Sequence, residues 1–288
     1  MRVFSPFLAL VICGVAVSSV PGEEKSEEKS DVITIPDASL RAVLLELKKK
    51  RQKGGDEITW DDLKNVYFLT AEGREIADLT GLEHCSNLGE ARLGKNKIQN
   101  VAPLASCQNL QSLSLQENQI EDIAPLGSLV KLQYLNFEHN RVKSIAGLQT
   151  LQALTSLYGS HNEIESLEGV SPLKKLWTVS LNHNRIRDVS PLAELPRLST
   201  VGLAHNQIVD VSKLPPGNTT YATYLQGNRI EDLSPLVSLA ETDAAGPKRF
   251  AAFWRLYLAG NPLNEAEKMQ QLDALRSHGV RIDLEYNK

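Results

Sequence analysis

Aromatic residues are scarce in this chain, at 6% of its 288 residues. A core built from it must therefore be filled by many Leu, Ile and Val side chains rather than by a few large rings. Cysteine is scarcer still, with three residues, which excludes a disulfide-dense scaffold. Neither sign of charge prevails, since 31 Lys and Arg are interspersed with 35 Asp and Glu. This balance argues against a dedicated nucleic-acid surface.

Catalytic motifs are also missing. The sequence has no nucleophile elbow, phosphate-binding loop, HExxH motif or CxxC pair. Its acidic residues recur at a fixed position of a repeat, and capping of a turn explains that position better than catalysis does. We therefore predict a protein without enzymatic activity and without a cofactor. The acidic positions are Asp78, Asp122, Asp188, Asp210 and Asp232.

One apolar run is long enough to suggest a targeting segment. Val3–Val17 follows a single positive charge and precedes small residues, a pattern typical of an export signal. We predict a signal peptide over residues 1–20 and a disordered, charged linker over residues 21–31. Retention of the run as an N-terminal anchor is the alternative. If it is cleaved, we expect an exported protein (periplasmic, cell-surface or extracellular) without membrane insertion.

The rest of the chain repeats one unit. Leu110–Leu126, LQSLSLQENQIEDIAPL, supplies the frame LxxLxLxxNxIxxIxxL, which recurs every 22 residues. Such a period is typical of a solenoid. Arg74 replaces the asparagine in a degenerate first copy, and 11 extra residues precede the last copy. The frame asparagines are Asn96, Asn118, Asn140, Asn162, Asn184, Asn206, Asn228 and Asn261.

Position within the frame predicts which way each side chain points. Leu113 and Leu115 are two apart and should point inward from one short strand. Each strand should pair in parallel with its copy in the next repeat. The frame asparagine can bond the backbone of its own and the neighbouring coil, because its amide both donates and accepts. Gly159 breaks the frame at an inward position, so we expect a small void there or a shift of Tyr158 to fill it.

These motifs resemble the bacterial internalin-type leucine-rich repeat family. The likeness rests on AEGREIADLTGLEHCSNL, on the LxxLxLxxNxIxDIxPL repeats and on the cap segment IPDASLRAVLLEL, and covers roughly residues 32–284. It implies an α/β leucine-rich repeat solenoid with short parallel strands on the concave face and 3-10 or turn segments on the convex face. It also implies a secreted or surface-attached protein that binds other proteins on its concave sheet.

Two caps should close the stack, because the terminal repeats would otherwise expose apolar ends. We assign residues 32–65 to an N-terminal cap with a helix capped by Asp37 and a second helix opened by a Thr59–Asp62 capping box. Its basic run from Lys48 to Lys53 is interpreted as a solvated face that complements the helix dipole, with a site for an anionic partner as the alternative.

The repeats should extend over residues 66–263, and a C-terminal cap over residues 264–288. That cap should consist of a helix opened by Asn264, whose Met269, Leu272 and Leu275 side chains cover the last coil, followed by a strand. The insertion at about 237–252 is either a functional loop projecting Lys248, Arg249 and Phe250 or a packed spacer.

Cysteine and histidine columns suggest two further features. Cys85 and Cys107 share one repeat position, so they form either a disulfide or two packed free thiols. Four histidines share another column, which allows a metal- or pH-responsive site, although the position also accepts other polar residues. Our prediction is that no metal is bound. The column consists of His139, His161, His183 and His205.

Outward strand positions supply the candidate partner-binding residues. Tyrosine, tryptophan and arginine are the types that most often anchor interfaces. We therefore predict a scaffold, monomeric and without nucleic-acid partners, that binds a protein of unknown identity through its concave sheet. A metal- or pH-responsive sensor and a passive envelope structural protein are the alternatives. The candidate residues are Tyr134, Tyr158, Trp177, Tyr224, Trp254, Arg255 and Tyr257.

Overall fold

A computed structural model of the chain describes residues 31–215 and 221–285. The predicted signal peptide and nearly all of the predicted linker lie outside the described residues. Within the described ranges, no helix combines the length and apolarity needed to cross a bilayer.

One parallel sheet dominates the described residues, with ten strands in chain order and every neighbouring pair in register. Inward positions stack directly, as Leu113 does on Leu135 and Leu135 on Leu157. This is the α/β leucine-rich repeat solenoid that the sequence predicts. The strands are β1 Phe68–Thr70, β2 Glu90–Arg92, β3 Ser112–Ser114, β4 Tyr134–Asn136, β5 Ser156–Tyr158, β6 Thr178–Ser180, β7 Thr200–Gly202, β8 Ala222–Tyr224, β9 Arg255–Tyr257 and β10 Arg281–Asp283.

The frame asparagines join each coil to its predecessor. Asn118 Oδ1 accepts from the backbone N–H of Ile98, and its Nδ2 donates to the carbonyls of Leu93 and Leu115, at 2.9–3.0 Å. The same pattern recurs at Asn162 and Asn206. The predicted asparagine ladder is confirmed, and it satisfies backbone groups that the bend would otherwise leave unpaired.

Opposite the sheet, the coil turns through short 3-10 segments. The frame aspartates cap these turns, as predicted: Asp122 Oδ1 accepts from Ala124 N at 2.8 Å, and Asp188 Oδ1 from Ser190 N at 2.8 Å. Twenty-two residues leave no room for a longer helix. These 3-10 segments are Leu82–His84, Ala102–Ser106, Ala124–Ser128, Ala146–Thr150 and Ser190–Leu192, and a further 3-10 segment, Ala251–Phe253, lies just before β9.

Two helices, α1 (Ala38–Lys50) and α2 (Trp60–Lys64), precede the first repeat. Asp37 caps α1, and a Thr59–Asp62 capping box opens α2, both as predicted. Asp37 also accepts from the backbone N–H groups of Ala77 and Asp78, which ties the cap to the first coil.

Lys48 corrects the interpretation of the basic run as fully solvated. Its ammonium group is buried, pairs with Asp62 at 2.9 Å and donates to the carbonyl of Glu57 at 2.8 Å. The neighbouring residues Lys49 and Lys50 are exposed. A buried ammonium group requires such partners, so the pairing with Asp62 of α2 distinguishes Lys48 from the exposed Lys49 and Lys50.

The insertion folds as a third helix, α3 (Ser234–Ala245), and a loop closed by Asp243. The Asp243 carboxylate is buried and accepts from the backbone N–H groups of Arg249, Phe250 and Ala251 at 2.9–3.0 Å. Phe250 is buried rather than projecting, which corrects one sequence expectation, whereas Lys248 and Arg249 are exposed. The ring of Phe250 packs against the buried ring of Trp254, and this apolar contact accounts for its burial.

The chain then forms α4 (Lys268–Ser277) and β10. The predicted start of α4 is wrong by one turn, because the side chain of Asn264 bonds Ala266 N in a local turn and Glu267 precedes the helix. Met269 is 62% exposed, so the prediction that it belongs to the core is wrong. The side of α4 that faces the last coil carries Gln271 instead, whose Oε1 accepts from Leu233 N. Leu272 and Leu275 are buried, in agreement with their predicted role.

Gly159 leaves no void. A Cβ at this position would collide with the ring of Phe137 from the preceding coil and would lie 3.0 Å from Leu181. Tyr158 does not shift inward, because it contacts Tyr134 on the other side of the sheet. The larger Phe137 therefore fills the space that Gly159 leaves.

Candidate partner-binding face

The exposed face of the sheet is built from the residues on either side of each inward strand residue. Strand alternation places Tyr134 and Asn136 outward around Leu135, and every coil repeats that arrangement. Two outward rows therefore run across the sheet. The first row is Phe68, Glu90, Ser112, Tyr134, Ser156, Thr178, Thr200, Ala222, Arg255 and Arg281, and the second is Thr70, Arg92, Ser114, Asn136, Tyr158, Ser180, Gly202, Tyr224, Tyr257 and Asp283.

Four predicted tyrosines form two pairs on this face. Tyr224 and Tyr257 are direct partners in register, and their rings stack at 4.5 Å with an interplanar angle of 7°. Tyr134 and Tyr158 are diagonal neighbours with ring centroids 5.4 Å apart. Partial burial raises the pKa of Tyr224, and the adjacent Tyr257 raises it further, so the phenol stays neutral across the physiological range.

Trp177 and Trp254 occupy the same repeat position but lie in opposite environments. Trp177 is 44% exposed, whereas Trp254 is 0% exposed and its indole N–H donates to Thr223 Oγ1 at 2.8 Å. Including Trp254 among the partner-binding residues is therefore wrong. The inward residue Thr223 is too small to fill its share of the core, and the indole, stacked on Tyr221, takes that volume.

Phe253 and Arg281 also belong to this side of the molecule, although the sequence did not single them out. Phe253 holds the position that is a buried leucine, such as Leu198, in other coils, yet it is 59% exposed because Trp254 occupies the core in its place. The repeat frame predicts a buried side chain at this position, so no signal in the sequence indicates that Phe253 is exposed. Arg281, by contrast, could have been found, because it precedes the apolar Ile282 in a predicted strand.

The four column histidines stack as parallel rings. Successive ring centroids lie 4.2, 4.2 and 4.3 Å apart, with interplanar angles of 10°, 13° and 16°. Each residue has a left-handed backbone, with φ from 54° to 56°. The rings line a cavity of about 560 Å³ together with Glu138, Tyr224 and Tyr257. The histidine column thus borders the tyrosine pair.

Two of these imidazoles resist protonation. Partial burial lowers the pKa of His161 and of His183, and the charge of neighbouring imidazoles lowers both further; Glu138 opposes this effect at His161. Within residues 31–215 and 221–285, no group of three or more His, Cys, Asp and Glu side chains is placed to hold a metal ion.

Cys85 and Cys107 are buried free thiols, so of the two alternatives the structure contains the packed pair and not the disulfide. Cys107 Sγ donates to the carbonyl of Leu82 at 3.2 Å. Burial raises the pKa of both thiols to about 12, which keeps them protonated and poorly nucleophilic.

No protein-family model matches the chain, and no curated protein matches it. Its fold does have counterparts among solved structures from Listeria monocytogenes. Internalin C2 is 25% identical over 71% of this chain and 90% of its own, with a TM-score of 0.62. Internalin F is 20% identical over 88% of this chain and 91% of its own, with a TM-score of 0.50. The functional domain of internalin J is 19% identical over 88% of this chain and 62% of its own, with a TM-score of 0.55. The in-register strands and the asparagine ladder give the chain a leucine-rich repeat fold that is similar to the fold of these internalins.

Proposed function

We propose that this protein is an exported, non-enzymatic leucine-rich repeat scaffold that binds a protein partner through the exposed sheet face. The observation that carries the proposal is the stacked pair Tyr224 and Tyr257 beside Arg255, all on adjacent strands of that face. Tyrosine and arginine supply most of the binding energy in many interfaces.

Rigid placement favours such a surface as a binding site. Tyr224 and Tyr257 are held by the strand pairing of β8 and β9, so they lose little conformational freedom when a partner covers them. The centre of the face is polar, as at Ser156, Thr178 and Ser180. We infer a hydrated contact of moderate affinity with a monomeric scaffold, rather than an obligate dimer.

Export is part of the same proposal. It is supported by the apolar run Val3–Val17 with its flanking charge and small residues. The proposal that the protein is not an enzyme is supported by the use of the frame aspartates as turn caps, seen at Asp122 and Asp188.

The test is a cross-linked pull-down from the envelope fraction of the source organism. It compares the wild type with Tyr224→Ala/Tyr257→Ala, and uses Tyr67→Ala, which removes an exposed tyrosine outside the two rows, as the control. We expect the double variant to lose at least one partner that the wild type and the control recover. Equal recovery by all three proteins, with unchanged thermal unfolding, would contradict the proposed site.

A second candidate function is a pH-responsive sensor. The observation that favours it is the histidine column, whose rings lie 4.2–4.3 Å apart and would repel one another when charged. Because the column borders Tyr224 and Tyr257 in one cavity, protonation would alter the same face that the first candidate uses. The pH titration described in the Discussion tests it.

A further inference from the structure

Two arginines lie side by side at the C-terminal end of the exposed sheet face. Arg255 on β9 and Arg281 on β10 are direct partners in register, and both are exposed. Like charges opposite one another destabilise a sheet. Neither guanidinium forms an ion pair with a carboxylate in the part of the chain that the structure describes, although 12 ion pairs of other Lys and Arg side chains are present there. Asp283 on β10 lies in the other outward row, opposite Tyr257.

Beside these arginines the face is recessed. A cleft of about 590 Å³ is lined by Trp177, Phe253, Arg255 and Arg281, with Thr200 and Ala222 between them. Thr200 and Ala222 are small outward residues on β7 and β8, so they leave open the space between the exposed rings and the arginine pair. The cleft therefore combines two exposed aromatic side chains with two guanidinium groups that lack a counter-ion among the described residues.

We propose that this cleft, the arginine cleft, binds an acidic peptide segment of the protein partner, in which carboxylates flank an apolar side chain. Guanidinium groups bind carboxylates with two parallel hydrogen bonds, which would neutralise Arg255 and Arg281 together. The rings of Trp177 and Phe253 would cover the apolar side chain. This inference rests on the proposed function and specifies the chemistry of its partner.

A peptide suits the arginine cleft better than an anionic membrane does. The two rings line a recess whose other walls include the hydroxyl-bearing residue Thr200. Acyl chains offer the Thr200 hydroxyl no hydrogen-bond partner, whereas a peptide backbone provides donors and acceptors.

The experiment titrates the mature protein with two peptides, Gly-Ser-Glu-Phe-Glu-Gly-Ser and its Gln-Phe-Gln counterpart. Binding is followed through the indole N–H signals of the three tryptophans in heteronuclear NMR spectra. The variants are Arg255→Gln/Arg281→Gln and the control Arg92→Gln, which removes an arginine of the same face that is already paired with Glu90 at 2.7 Å.

We expect the wild type to bind the glutamate peptide at least about tenfold more tightly than the glutamine peptide, with a loss of affinity as salt is added. The Trp177 signal should shift, while those of Trp60 and of the buried Trp254 should not. The double arginine variant should lose that preference and should melt at the same temperature as the wild type or higher, because it relieves the repulsion of like charges. Arg92→Gln should bind as the wild type does.

Four results would overturn the inference. These are equal binding of both peptides, undiminished binding by the double arginine variant, no binding up to about 1 mM, or arginine-dependent binding to phosphatidylglycerol vesicles in place of the peptide. The outcome is separable from that of the proposed function. If the envelope partner is lost with Tyr224→Ala/Tyr257→Ala but retained with the arginine variant, the scaffold function holds and the arginine cleft fails.

Discussion

At the scale of single residues, the large side chain of Phe137 compensates for the missing side chain of Gly159 in the neighbouring coil. The frame calls for a medium-sized apolar residue at each inward position, yet one coil has a ring and the next has no side chain. Because the Phe137 ring lies where a Cβ of Gly159 would be, the pair fills the core together. Close packing of this kind tolerates changes in distribution but not in total volume.

Gly159→Ala should therefore destabilise the protein by about 1–3 kcal/mol, because the methyl group would displace the Phe137 ring. Urea unfolding monitored by circular dichroism measures the change. The matched control is Gly89→Ala, where the nearest neighbouring atom would be 3.7 Å from the new methyl group and stability should hold or rise slightly.

In a Phe137→Leu background, Gly159→Ala should leave the free energy of unfolding almost unchanged, since the smaller leucine side chain leaves room for the methyl group. Additive losses in the double variant would show that the two residues do not share one space.

At the scale of the element, the bend after each strand requires a left-handed residue. Lys95, Glu117 and the four column histidines all have φ between 54° and 58°, and Gly227 and Gly260 continue the column without strain. Since the bend fixes the backbone of each histidine in the same way, the imidazoles of adjacent coils point in the same direction and stack.

Stability should fall on acidification because the pKa values of His161 and His183 are lower in the folded than in the unfolded protein. Between those lowered values and the ordinary value near about 6.5, the unfolded chain binds more protons, so stability rises with pH in this window and is lost as pH falls through it. Thermal unfolding from about pH 7.5 down to the acidic end of the window should show this decline.

His161→Asn/His183→Asn should flatten the decline, because asparagine tolerates a left-handed backbone and does not titrate. His84→Asn, outside the column, serves as the control and should keep the wild-type pH dependence. A pH profile identical in all three proteins would rule out the histidine column as a proton-sensitive element.

At the scale of the whole molecule, the stack depends on contacts between neighbouring coils. In repeat proteins, stability is approximately the sum of intrinsic repeat terms and nearest-neighbour terms. The asparagine ladder supplies a polar part of each neighbour term. Asn162, for example, bonds Val142 N and Phe137 O of the preceding coil and Gly159 O of its own.

Asn162→Ala in the middle of the stack should lower the free energy of unfolding by at least about 2 kcal/mol, since buried backbone groups in two coils lose their partner. Denaturant unfolding measures this, with the exposed Glu121→Ala as the control that should change stability by less than about 0.5 kcal/mol. A loss at Asn162 as small as that of the control would mean that the ladder contributes little to holding the coils together.

The sequence by itself determined the repeat, and through it the direction of most side chains. Because each coil follows the same path, position within the 22-residue frame assigns Leu113 to the core, Asn118 to the ladder and Tyr224 to the exposed face. The helix caps at Asp37 and Thr59 could be predicted for a similar reason, since they depend on bonds within three residues. Features that depend on short-range bonds or on strict periodicity can therefore be predicted from the sequence alone.

Only the tertiary structure decided where neighbouring coils compensate for one another. Trp254 enters the core because Thr223 leaves space, and Phe253 is exposed as a consequence. Lys48 is buried and paired with Asp62, although its neighbours Lys49 and Lys50 are exposed. The arginine cleft forms because Arg255 and Arg281, 26 residues apart in sequence, become neighbours in register. Volume and charge are balanced among residues that are adjacent in space but distant along the chain, and a repeat frame contains no information about that balance.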